Sequence, residues 1–160
     1  MKYFGIFILL LAAAAFAKEY TGYVKRRLSQ CREFLSFISH IRISVGCYLT
    51  PSDELWRGFD SDELCAIGFL PAVKSGAGIY EAYKNCESKL LLSREAKGVL
   101  SELFSSLGSG YLDDGMRLID SSEERMERIC RNLDEDLPRC VKLAATLSLT
   151  AAIGISILII

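Results

Sequence analysis

Residues 143–160, LAATLSLTAAIGISILII, form a run of eighteen residues without a single charge. A helix rises about 1.5 Å per residue, so this run nearly matches a hydrocarbon core of about 30 Å. It predicts a membrane helix, and hence a helical body fixed to a membrane by this segment. A second apolar run covers Tyr3 to Ala17. The body between them, Lys18 to Lys142, is large enough for one modest core.

The first run has two readings. Lys2, a short apolar stretch and Ala15-Phe16-Ala17 fit a secretory signal with an A-x-A cleavage site. The other reading is an uncleaved membrane helix, with Lys18 snorkelling and Tyr20 and Tyr23 at the interface. Charge placement favours a cytoplasmic body if both runs span. Lys18, Lys25, Arg26, Arg27 and Arg32 cluster at one end of it, and Arg131, Arg139 and Lys142 at the other.

Composition removes several functions. A net charge of −1 argues against nucleic-acid binding, which needs a concentrated basic patch. An apolar fraction of 51% with three prolines excludes a disordered chain. One histidine, His40, leaves little room for histidine catalysis or a multi-histidine metal site. It lies between Ile38 and Ile41, which suits packing. The six cysteines (Cys31, Cys47, Cys65, Cys86, Cys130 and Cys140) form no Cys-x-x-Cys pair and flank no histidine. Cys31 and Cys130 fall on apolar helical stripes, so reduced core thiols are expected. An exported body would instead permit disulfides.

The body reads as helices throughout. From Tyr20 to about Val45, the residues Val24, Leu28, Cys31, Leu35, Ile38 and Val45 alternate at spacings of four and three, with Arg42 breaking the stripe. Phe34, Phe37 and Ile41 widen that face, so the helix packs on more than one neighbour. Gly46 is read as its end. Thr50 and Pro51 open a short helix to about Phe59, with Asp53 at a capping-box position. A further short segment runs through Leu64, Ile67 and Leu70, and Pro71 and Ser75 to Gly78 break it. Ile79 to about Leu91 is helical, with Tyr83, Cys86 and Leu90 on one side. Ser93 caps the next helix, which turns Val99, Leu100, Leu103, Phe104 and Leu107 inward and ends at Gly108. The last stripe is Leu112, Met116, Ile119, Met126, Cys130, Leu133 and Leu137, with Glu123 as its polar break. Pro138 can kink this helix, yet the pattern can run on into the apolar tail.

No chemistry emerges from the motifs. The acidic clusters at Asp53-Glu54, Asp60 to Glu63 and Asp113-Asp114 sit at helix starts, where carboxylates are favoured. Glu123-Glu124 and Asp134-Glu135-Asp136 read as solvated helix faces. Gly76-Ala77-Gly78 and Gly108-Ser109-Gly110 lack the Lys-Ser/Thr of a phosphate loop. No G-x-S-x-G occurs. No catalytic, cofactor or metal residue is expected, and no small-molecule substrate. Trp56 and Phe59 suit either core packing or an anchor for a partner.

The order of features resembles the stage III sporulation protein AB family of spore-forming bacteria. The matching features are a short apolar start, a basic opening to a long helix, Thr50-Pro51, Ile79-Tyr80-Glu81-Ala82-Tyr83 after a glycine-rich turn, Ser93-x-Glu95, Leu107-Gly108, a long helix, and an apolar tail containing Gly154. Where the family usually has an acidic residue and then a glutamine after the Leu-Gly turn, this chain has Tyr111 and Gly115, with Asp113 and Asp114 displaced. The cysteine content is also unusual for the family. The resemblance implies a non-enzymatic membrane protein of sporulation, similar in its helical domain to the platform proteins of type II secretion and type IV pilus machines. The implied partners are a secretion-type ATPase and other subunits of the channel between mother cell and forespore. The implied place is the bacterial cell membrane, with the body on the cytoplasmic, mother-cell side.

The expectation is therefore an all-α, membrane-anchored bundle: a membrane segment at 1–19, a helical domain at 20–142 and a transmembrane helix at 143–160. Two long helices pair antiparallel, and shorter ones close the bundle. Trp56, Phe59, Gly108, Tyr111, Asp113 and Asp114 are the candidate partner contacts. The competing expectation is an exported, disulfide-bonded protein with a cleaved signal peptide and a C-terminal anchor.

Overall fold

A computed structural model describes residues 2–48, 56, 58–107 and 112–159. Among these every regular element is helical: α1 (Lys2–Tyr48), α2 (Asp62–Ala66), α3 (Phe69–Lys74), α4 (Ile79–Cys86), a 3₁₀ turn (Glu87–Lys89), α5 (Arg94–Leu107) and α6 (Leu112–Ile159). The chain divides into two compact units. One holds residues 1–26 and 132–160, the other residues 27–131. The division leaves both long helices continuous in secondary structure. α1 joins the first apolar run to the basic stretch without a break, and it continues past Gly46 to Tyr48.

The short helices start and stop where backbone chemistry dictates. The Ser61 hydroxyl accepts from the Leu64 N–H at 3.2 Å and caps α2, whose first turn carries Asp62 and Glu63. Gly68, at φ 88°, turns the chain into α3. Pro71 does not break the pattern. It sits in the first turn of α3, where the absent N–H is not needed. α3 ends in a Schellman motif, with Gly76 at φ 96° and its N–H on the Val73 carbonyl, and the Ala77 N–H on the Ala72 carbonyl. α4 stops at Cys86, short of the expected Leu91. Leu91 has another role there: its N–H donates to Oε1 of buried Gln30 at 2.8 Å, tying α1 to the α4–α5 connection. Ser93 caps α5 through the Ala96 N–H at 3.2 Å.

The core is aromatic. Phe34, Phe37, Phe69, Phe104 and Tyr83 are fully buried. Phe37 and Phe69 meet edge to face at 5.3 Å, and Phe69 stacks on Phe104 at 5.6 Å. The Tyr83 hydroxyl donates to the Lys97 carbonyl at 2.8 Å, so its polar tip is satisfied. Burying one such ring contributes roughly 1.5–3 kcal/mol. The flanking residues Phe34, Phe37 and Ile41 are buried more deeply than Leu35 or Val45 of the heptad stripe, because α1 packs on several helices at once.

In the other unit several large apolar side chains among the described residues point outward. Leu147 is 66% exposed, Phe16 65% and Leu143 58%. Pro138 lies inside α6, which continues through it despite the lost N–H.

Candidate functional site

Within the bundle unit, Cys31, Ser39 and Arg42 of α1 meet α6. The buried Cys31 and Cys130 thiols interact with each other. The Ser39 hydroxyl donates to the Glu123 carboxylate at 2.5 Å. Arg42 bridges Asp120 at 2.7 Å and Glu123 at 3.2 Å. As the α1 number rises from 31 to 42, the α6 number falls from 130 to 120, so the pair is antiparallel. Arg42 and Glu123 are the polar interruptions of their two stripes, and they interrupt them at the same level. A one-turn slip would part them and leave Glu123, mostly covered, against apolar neighbours. A polar pair inside an apolar seam sets register in this way.

The thiols are shaped by this packing. The interaction with Cys130, with burial, holds the Cys31 thiol far above the usual range. Burial pushes Cys86 up to about 11. Cys31, Cys86 and Cys130 are buried, as their place on apolar stripes predicts. A protonated buried thiol is a poor nucleophile.

The sequence candidates fall in different places. Phe59 is buried and meets Phe37 edge-on at 5.2 Å. Trp56 is half-buried, with its ring 6.1 Å from Phe37. His40 lies 5.4 Å from the Phe59 ring, in a packing position. Trp56 and Phe59 thus belong to one aromatic cluster, with Trp56 at its partly open edge. Asp113 and Asp114 lie in the first turn of α6. Gly108 and Tyr111 lie outside the described residues, as do Thr50 to Glu54. Asp62 and Glu63 remain at a helix start, and Asp60 bridges Lys74 at 3.5 Å.

The membrane-apt unit holds a feature that the sequence reading missed. A groove of about 600 Å³ runs between α1 and α6, lined by small residues such as Ala12, Ala144 and Ala152, and by Phe16, Leu147 and Tyr20. Its signal was available: Ala144, Ser148, Ala152 and Ile155 recur at four, four and three. The hydroxyls of this stretch are also telling. Thr146 donates to the Lys142 carbonyl at 2.9 Å, Ser148 to Ala144 at 2.6 Å and Thr150 to Thr146 at 2.9 Å. Each polar group is answered by its own helix, which is the condition for entering hydrocarbon. α6 is long and apolar enough to cross a membrane, and little of its apolar window is covered by protein.

The family model for stage III sporulation protein AB matches residues 2–160. The chain belongs to that family. No match was found among curated proteins or solved structures. Membership makes this a sporulation protein, and with the membrane-capable helix it points to membrane association.

Proposed function

We propose that this stage III sporulation protein AB family member is a non-enzymatic membrane scaffold. Its bundle sits on the cytoplasmic, mother-cell side of the membrane and docks a secretion-type ATPase and other subunits of the mother cell–forespore channel. The observation that carries the reading is one chain, matched over 2–160, that joins an aromatic-cored bundle to a helix with outward-facing apolar side chains and internally satisfied hydroxyls. Such a chain is suited to holding a soluble partner beside a bilayer.

Basic residues at Lys25, Arg26 and Arg32, all exposed, support the cytoplasmic side. Trp56, at the open edge of the aromatic cluster, and the stretch from Gly108 to Asp114 are the first places to look for the partner. Photocrosslinkers at Trp56 and Tyr111, in the full chain in sporulating cells, are expected to capture the ATPase. Capture of no channel subunit from either position, with the chain correctly in the membrane, would overturn the docking assignment.

A further inference from the structure

The geometry points to a binding site for one anionic phospholipid between α1 and α6, with an acyl chain in the apolar groove and the phosphate at Arg139. The inference rests on the membrane reading above and goes beyond it.

The groove is almost purely apolar in character. Phe16, Leu143, Leu147 and Ile155 supply its surface, and Ala12, Ala13, Ala144 and Ala152 keep the floor low. The one hydroxyl of α6 on its wall, Ser148, is turned back to the Ala144 and Ala145 carbonyls at 2.6 Å and 3.1 Å. Apart from Tyr20 and Cys140 at one end, the wall offers a ligand no polar partner, so hydrocarbon suits it.

The ends of the groove differ. Towards Ile155 the sequence stays apolar. The other end carries Tyr20 and Cys140, and charge begins there. Arg139 precedes Leu143 and Leu147 at intervals of four, so it stands one turn above the groove wall on the same helical stripe. Its side chain is 82% exposed, and its contact to Asp136 is long at 3.9 Å, which leaves the guanidinium open to a phosphate. Lys18 and Lys142, both exposed, add positive charge at this level, against Glu19 and Asp136. Tyr20 and Tyr23 mark the headgroup depth. A basic rim above an apolar cleft between membrane helices is the arrangement that holds an anionic lipid.

The test uses the purified full chain in mild detergent. Native mass spectrometry reads retention of phosphatidylglycerol and of phosphatidylethanolamine with matched acyl chains. The wild type is expected to keep one phosphatidylglycerol per chain, at least tenfold over phosphatidylethanolamine. Ala151→Phe, which fills the groove, should lose both lipids. Arg139→Gln should bring the two lipids to equal retention. Equal retention by the wild type, or unchanged retention by Ala151→Phe with native helicity, would overturn the inference. So would a wild-type dimer that Ala151→Phe abolishes, which would assign the groove to a second copy. A chain that leaves the membrane on alkaline washing would instead defeat the membrane reading itself.

Discussion

The two units share the helices α1 and α6, but they answer to different solvents. In the bundle unit the apolar faces turn inward, and Phe34, Phe37, Ile38 and Ile41 of α1 are wholly covered. In the other unit Leu11, Phe16, Leu147 and Leu149 turn outward. Water would oppose that surface at roughly 25 cal/mol per Å², whereas lipid does not. Polar residues follow the same split. In the bundle, Ser39 and Glu123 satisfy each other across helices. In the apolar unit, Thr146, Ser148 and Thr150 are satisfied within one helix. A polar side chain therefore serves pairing in one unit and solubility in lipid in the other.

The largest expected contrast comes from side-chain truncation. Phe37→Ala opens the centre of the aromatic cluster and should cost about 3–5 kcal/mol, read by denaturant unfolding in detergent. Next comes pH. Cys86 has its folded pKa raised from 9.0 to about 11, so its contribution is complete below pH 9 and is lost as pH rises towards 11. Stability of the reduced protein should fall across that window by on the order of 2 kcal/mol from this group. Cys31 and Tyr83, also raised, act in the same direction. Cys86→Ala should show a shallower fall over the same range.

A double-mutant cycle on Arg42→Ala and Glu123→Ala should give a coupling of about 0.5–1 kcal/mol, since Arg42 is half exposed. A coupling near zero would mean that the polar breaks do not set register. The smallest effect should come from Leu149→Ala on the outward face of α6, which is expected to stay within about 0.5 kcal/mol in detergent. A loss as large as that of Phe37→Ala would show that this face packs against protein rather than lipid.

Much of this was legible from periodicity. The stripes through Leu28, Cys31 and Ile38, and through Ile119, Met126 and Cys130, name buried residues on both long helices. Ser93 was readable as a cap because its hydroxyl acts on the next turn, a local event. What escaped depended on pairing at a distance. Arg42 and Glu123 each looked like a flaw in one stripe, and only their meeting gives the reason for both. Pro71 looked like a breaker because its place in the first turn depends on Gly68 turning the chain just before it. The expected segment Ile79 to Leu91 was too long because the N–H of Leu91 is claimed by Gln30, a residue sixty-one positions away. The groove went unseen because the spacing of Ala144, Ser148 and Ala152 takes on a meaning only when two helices are placed side by side.

The decisive measurement is whether the full chain stays with the bilayer. Membranes of sporulating cells are washed with alkaline carbonate, and the mass of the retained protein is determined. The chain, with residues 1–17 still attached, is expected to remain in the pellet and to be released only by detergent. Recovery in the supernatant as a soluble protein, lacking residues 1–17 and carrying disulfides, would contradict that expectation.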